Sequence, residues 1–474
     1  IREFALERLQ ASEDWQATRR RHADFFLALA EKAEPELTGP KQVLWLNILE
    51  GEHDNVRAVF AWIEETAQAD YGLRLGAAIW RFWVVRGHRQ EGRERLAALL
   101  ALPGASQPTR ERAKVLNAIG TIMHELDDYS TARQRLEESL GIWRKVGDKK
   151  GMATVINNLG WIAVQLGELN SAKGLSQESL AMHTELGDKR GRAVAFNNLT
   201  WVAFTQSEFA LARSLQEKNL SLRREIGDER GVAFAMGWLA WIDIVQGNYE
   251  KAAALLESAR GKLRELGDNM IMGFSMWILA QMAIDQGDFA RAGKLMEENP
   301  ALLKERGPHM LSLLALVKQH DGDQQQAQEL LEESLTKFRA WGVKWGMANV
   351  LYHLGRQPRK AGHDDKRATA YFHESMILTR DLGNKLGMAK TLVEFGGLAL
   401  AEGDPERSAR LFAAVEALHQ TIGAPIPPYE RMRFEREVAR VHALLGEETF
   451  AATWSAGKNM TTEQAVSYAL QVHF

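Results

Sequence analysis

Two residue types recur in this 474-residue chain at a spacing that could build a recognition surface. Asn117, Asn157 and Asn197 are each 40 residues apart, as are Trp161, Trp201 and Trp241, and the pair Phe234 and Phe274. A carboxamide offers donors and acceptors that complement a peptide backbone. An aromatic ring offers a large contact area with little rotamer entropy to lose. The same rows could instead pack one repeat on the next or satisfy a neighbouring helix, and both readings stand open on sequence alone.

Candidates for catalysis or metal binding fail on their own spacing. Asp321, Asp323, Gln325 and Glu332 occupy positions of a calcium loop, but Gln326 stands where a glycine is required. His363-Asp364-Asp365 reads as a solvated loop, and His124-Glu125 lacks the second histidine of a zinc-protease helix. Gly261-Lys262 is followed by Leu263 and Gly457-Lys458 by Asn459, so neither forms a phosphate-cradling P-loop. There is no GxSxG serine and no convergent carboxylate pair. The expectation is a binding chain, not an enzyme, with no catalytic residue, cofactor or metal.

The elements that must position these rows are helices. All 11 prolines lie outside the stretch from Thr109 to Asn299, which long helices tolerate and turn-rich sheets seldom show. Gly87, Asp127, Gly167, Ser207, Gly247 and Gly287 form one ladder of turn residues 40 apart; Gly147, Gly187, Gly227, Gly267 and Gly307 form a second, offset by 20. Two interleaved ladders imply two helices per repeat. A small residue follows each turn of the first ladder by five positions, from Gly92 through Ala132, Ala172, Ala212, Ala252 and Ala292 to Ala327, Ala368 and Ser408, so nine units are legible. In the unit from Asp148 to Gly187, Asp148 caps a helix with apolar residues at 3- and 4-residue spacing, and Asn170 or Ser171 caps a second helix that Gly187 closes. Each pair buries its apolar faces only by stacking on the next, which makes an all-α solenoid.

The regularity fails over 300–370. Gly322 follows Gly287 at 35 residues, with Gly307-Pro308 where a helical turn should be, and the polar loop Gln357 to Asp365 cuts a first helix short. Gly423-Ala424-Pro425-Ile426-Pro427-Pro428 ends the last unit before a helix from about Tyr429 to Leu445 and a cap from Trp454 to Leu470. The domain reading is a helical connector over 1–65, helix pairs over 66–422 and a helical cap over 423–474.

Charge and composition restrict the partners. Lys plus Arg number 59 and Asp plus Glu 62, a net of −3, which supplies no general attraction to nucleic acid or an acidic membrane. No cysteine is present, consistent with a reducing, cytoplasmic setting. The longest strongly apolar window, Gly273 to Ile284, is shorter than the ~18 residues a membrane span needs. The first residue is Ile1, so the chain reads as a piece of a longer polypeptide.

The pattern Asn158-Leu159-Gly160, Gly167, Ala172, Leu180 and Gly187-Asp188 resembles the tetratricopeptide repeat in a long, forty-residue form, which implies a right-handed superhelix whose first helices line a concave groove. The opening segment, with Arg2, Glu3, Arg20, His22, Phe25, Trp45, Glu52, His53, Asp54, Asn55 and Arg57, resembles the connector of bacterial signal-transduction ATPases with numerous domains (STAND), as do Trp454-Ser455-Ala456-Gly457 and Thr462 to Val466 the end of their sensor. That resemblance implies a sensor for a protein, peptide or small-molecule inducer. The NTPase and winged helix, with which the sensor would make intramolecular contact, would lie in a preceding region. Tetratricopeptide groove positions, taken as the guide, select Asn117, Asn157, Trp161, Asn197, Trp201, Phe204, Phe234, Trp241, Phe274 and Trp277 as the binding surface. The alternative is a constitutive scaffold that grips a peptide or helix without switching.

Overall fold

Each forty-residue unit doubles back because its two turn residues leave the right-handed helical region. In the first ladder φ runs from 60° at Asp127 and 61° at Ser207 to 83° at Gly87 and Gly287, and Gly147, Gly187, Gly227 and Gly267 of the second lie between 64° and 74°. Gly307 departs from its ladder: with φ −64° and ψ 153° it opens the helix Pro308–His320 instead of closing one, because the residue before a proline is driven out of the helical region. The aspartates after the other four glycines cap the first helices. Asp148, Asp188, Asp228 and Asp268 accept the backbone N–H groups of Gly151, Gly191, Gly231 and Ile271 at 2.9–3.1 Å.

This computed structural model describes residues 14–298, 307–357 and 364–471. Among them the order is three helices (Trp15–Ala33, Gln42–Gly51, His53–Thr66), nine helix pairs from Ala69–Arg86 with Arg89–Ala101 to Lys385–Ala401 with Pro405–Ile422, and three closing helices (Pro428–Leu445, Glu447–Lys458, Thr462–Leu470). The architecture is an all-α solenoid with no strand among the described residues. The expected terminal cap divides in two at residues 459–461. The first helices Lys149–Gln165, Lys189–Thr205, Glu229–Val245 and Asn269–Asp285 are each 17 residues long, against 13 for Pro308–His320 and 12 for Lys344–Gly355. Most of the loop expected from Gln357 to Asp365, including His363, lies outside the described residues. The calcium-like segment is a repeat turn: Asp323 caps Gln324–Trp341 through the Gln326 N–H at 3.0 Å.

Packing within a pair depends on small residues. Ala132, Ala172, Ala212, Ala252, Ala292 and Ala327 are fully buried, and so is Ser408. Buried serines add hydrogen bonds between the helices, Ser139 Oγ to the Ala113 carbonyl at 2.7 Å and Ser179 Oγ to that of Ala153 at 2.9 Å. These donate to carbonyls already inside a helix, so neither hydroxyl is buried without a partner.

The solenoid curls onto itself along both rows of turns. On one edge, Arg190 donates to the Thr38 carbonyl and Gly227 faces Pro40, where a Cβ would come within 2.7 Å of the proline ring. On the other, Leu382 joins an apolar cluster with Ala163, Val164, Leu169 and Val202. The central repeats are thus held between the N-terminal helices and the C-terminal half. No described helix is long and apolar enough to cross a membrane.

Candidate ligand cavity

The curl forms a cavity of about 1110 Å³, at or above the ~300–1,000 Å³ usual for small-molecule sites. Its wall is the first helices of six successive pairs, Ala69–Arg86, Arg110–Glu125, Lys149–Gln165, Lys189–Thr205, Glu229–Val245 and Asn269–Asp285. The N-terminal segment closes it at one side through Pro35 and Thr38, and His309 and Trp345 contribute from later repeats.

Nine of the ten groove residues expected from the sequence line this cavity: Asn117, Asn157, Trp161, Asn197, Trp201, Phe234, Trp241, Phe274 and Trp277. Phe204 does not. It is buried against Phe209 at 5.4 Å, Trp238 at 5.6 Å and Trp241 at 4.5 Å between ring centroids. Three residues beyond Trp201, its side chain points about 300° further round the helix and enters the contact with the second helix.

The tryptophans divide between wall and core. Trp161, Trp201 and Trp277 are half-buried, whereas Trp241 is nearly covered and Trp238 wholly so. They meet edge to face, Trp161 with Trp201 at 5.4 Å and Trp241 with Trp277 at 4.7 Å, the arrangement ring quadrupoles favour. Trp345 completes the box from a repeat far along the chain, 5.9 Å from Trp241, 6.3 Å from Trp201 and 5.2 Å from His309. Burial pushes the His309 imidazole down to about 4, so it is neutral at physiological pH.

The asparagine row is mostly spent on neighbouring repeats. Asn158 Nδ2 donates to Asn117 Oδ1 at 2.7 Å, and Asn198 Nδ2 donates to the Asn157 carbonyl at 2.8 Å and to its Oδ1 at 3.2 Å. At the third rung the residue in the donor position is Trp238, and the buried Asn197 Oδ1 has no hydrogen-bond partner. An unmet buried carbonyl costs about 1–3 kcal/mol, which a ligand donor would recover.

A polar end, which the sequence reading missed, lies beside the N-terminal segment. It holds Arg81, Arg190, Arg223, Arg230, Lys150, Asp188 and Asp228. The signal was available: Lys150, Arg190 and Arg230 are 40 apart, each the second residue of a first helix, and His309 and Trp345 occupy the same place in later repeats. His183, 3.0 Å from Asp188, holds that carboxyl well below the usual range. Burial works against the Asp228 carboxylate, but Arg223 and Arg190 outweigh it and keep the group low.

Residues 111–185 match the sequence profile of the tetratricopeptide repeat family. Among curated proteins, HTH-type transcriptional regulators of Mycobacterium tuberculosis and Mycobacterium bovis are 34% identical over 92 residues, 19% of this chain. The chain spans only about a tenth of their length, the matched stretch covering 10% of each. Among solved structures, a Rap protein complexed with Competence and Sporulation Factor superposes with a TM-score of 0.57 at 11% identity, over 75% of this chain and 98% of that one. The quorum sensor NprR from B. thuringiensis aligns at 0.44 and 17% identity, over 72% and 97%. With forty-residue helix pairs, a repeat-profile match in the second and third of them and this superposition, the fold is a tetratricopeptide-type α-solenoid.

Proposed function

We propose that this chain is the ligand-sensing domain of a larger regulator and that it takes a peptide or a peptide-like inducer into this cavity. The observation that carries the reading is Asn197. Its carbonyl is buried without a partner in a wall that also carries aromatic rings, so the cavity combines an apolar surface with an unmet backbone-like acceptor. The partial likeness to HTH-type transcriptional regulators supports a regulatory setting. The fold likeness to a protein solved with Competence and Sporulation Factor supports a binding role for such a solenoid.

In this reading the chain carries out no chemistry. A ligand that prefers one curvature of the solenoid shifts its population, and the change reaches whatever domains the edges touch. An inducer that relieves autoinhibition of a STAND-type ATPase is the specific form we favour, on the resemblance of the connector.

The test is native mass spectrometry of the chain incubated with a peptide extract of its host, alongside Val194→Trp. Val194 is half-buried in the cavity wall, so the indole fills the space without removing a contact. Retention of a discrete mass by the natural chain and its loss in the folded variant is expected. Equal retention by both would place binding elsewhere.

A further inference from the structure

The polar end of the cavity holds more positive charge than its own carboxylates pair. Arg223 pairs with Asp228, Arg230 with Asp268 at 2.6 Å and Lys114 with Glu34 at 3.2 Å. Arg81 and Arg190 are in no ion pair among the described residues. Arg81 lies 4.5 Å over the Trp80 ring, and Arg190 spends one N–H on the Thr38 carbonyl. Both arginines are half-buried and both line the cavity.

The electrostatic strain points the same way. Burial, then the charges of Arg190 and Arg230, push Arg81 down to about 9, with Asp228 offsetting only part of the effect. Burial likewise lowers Arg190. A guanidinium keeps its proton at neutral pH, so both remain cations whose solvation the fold has reduced. Holding like charges together out of water is costly unless an anion compensates them.

We infer that Arg81 and Arg190 form the anion-binding subsite of the cavity, taking the carboxylate or another oxoacid group of a ligand whose apolar body rests on Trp161, Trp201 and Trp277. The planar fork of each guanidinium suits two-point contact with such a group. The inference rests on the cavity being the ligand site, as proposed above, and adds the chemical class: an amphipathic anion, such as a peptide bearing an acidic side chain or a free C-terminus.

Two dyes that differ by a single sulfonate test it: 8-anilinonaphthalene-1-sulfonate and neutral N-phenyl-1-naphthylamine, titrated by fluorescence. In the natural chain the sulfonate dye binds at least about tenfold tighter, the worth of one or two charge-assisted hydrogen bonds, and added salt erodes that preference. In Arg81→Gln/Arg190→Gln the preference disappears while the neutral dye binds as before. Equal affinities in the natural chain, or a preference that survives the double substitution, would overturn the subsite and leave the cavity reading intact. A natural chain that binds neither dye would overturn both. If the double variant unfolds early and loses both dyes, the arginines are structural and the subsite is refuted; the Arg81→Lys/Arg190→Lys variant, which keeps the charge, then retains stability.

Discussion

Ser207 Oγ accepts a hydrogen bond from the Leu386 backbone N–H at 3.0 Å, joining residues 179 apart in the chain. Ser207 is also one of only two turn-ladder positions not filled by glycine, and it holds φ at 61°. A β-carbon strains this conformation; here the hydroxyl gives the turn a partner in the C-terminal half. Ser207→Ala keeps the strain and removes the acceptor, so it should cost about 1–2 kcal/mol. Ser207→Gly removes the strain as well and should cost less. Because a repeat array need not unfold in one step, amide hydrogen exchange at Leu386 is the appropriate readout. Unchanged exchange in both variants would show that the closure does not depend on this contact.

Adjacent asparagines should separate structure from recognition. Asn198 donates twice to Asn157, and Asn198→Ala removes both bonds and leaves the buried Asn157 Oδ1 unmet, at about 1–3 kcal/mol. Asn197→Ala discards a carbonyl that has no partner and should cost under about 1 kcal/mol while weakening whatever the cavity binds. Denaturant midpoints of the two variants decide the matter; a larger loss at Asn197 would contradict its assignment as a ligand acceptor.

Trp345 should govern the closure of the aromatic box. It touches three wall tryptophans and His309, so Trp345→Ala deletes the contacts that tie a late repeat to the central ones. We expect a loss of about 2 kcal/mol for this half-buried ring and a marked fall in near-ultraviolet circular dichroism. An unaltered spectrum would mean that the rings are not mutually fixed.

Acid should act in opposite directions at two sites. Burial raises the Asp285 carboxyl to about 6, although Lys390 and the Gln281 amide at 2.8 Å favour its charged form. Its unfolded value is about 4, so between those limits the folded state binds more protons and stability falls as pH rises. His309, lowered to about 4 by burial against about 6.5 unfolded, contributes stability that is lost as pH falls through the same window. Comparing the natural chain with Asp285→Asn isolates the first effect. The variant should gain about 1–3 kcal/mol at pH 7.5 and almost nothing at pH 4, read from unfolding midpoints; a gain that does not change with pH would refute the assignment.

The turns were legible residue by residue. Gly, Asp or Ser at 40-residue intervals marks where φ must become positive or where a first helix must be capped, and these are local demands that a chain meets whatever surrounds it. The same locality explains the one misplaced rung, Gly307, where the following proline outweighs the repeat. Phe204 failed for a related reason: a three-residue step from Trp201 stays on the same helix but turns the ring from the cavity into the core.

What the periodicity determined is the list of helices, their pairing and the rows of side chains that share a phase. Which rows face a ligand depended on curvature, a property of how many pairs stack and at what angle. Curvature brings Trp345 to Trp201, Leu386 to Ser207 and Thr38 to Arg190, contacts between residues with no short-range relation. It also separates three asparagines of identical spacing into two that are satisfied and one that is not, because the donor for the third would have to come from a position occupied by Trp238. Local geometry repeats every forty residues, whereas burial and hydrogen-bond satisfaction are settled only when distant repeats meet.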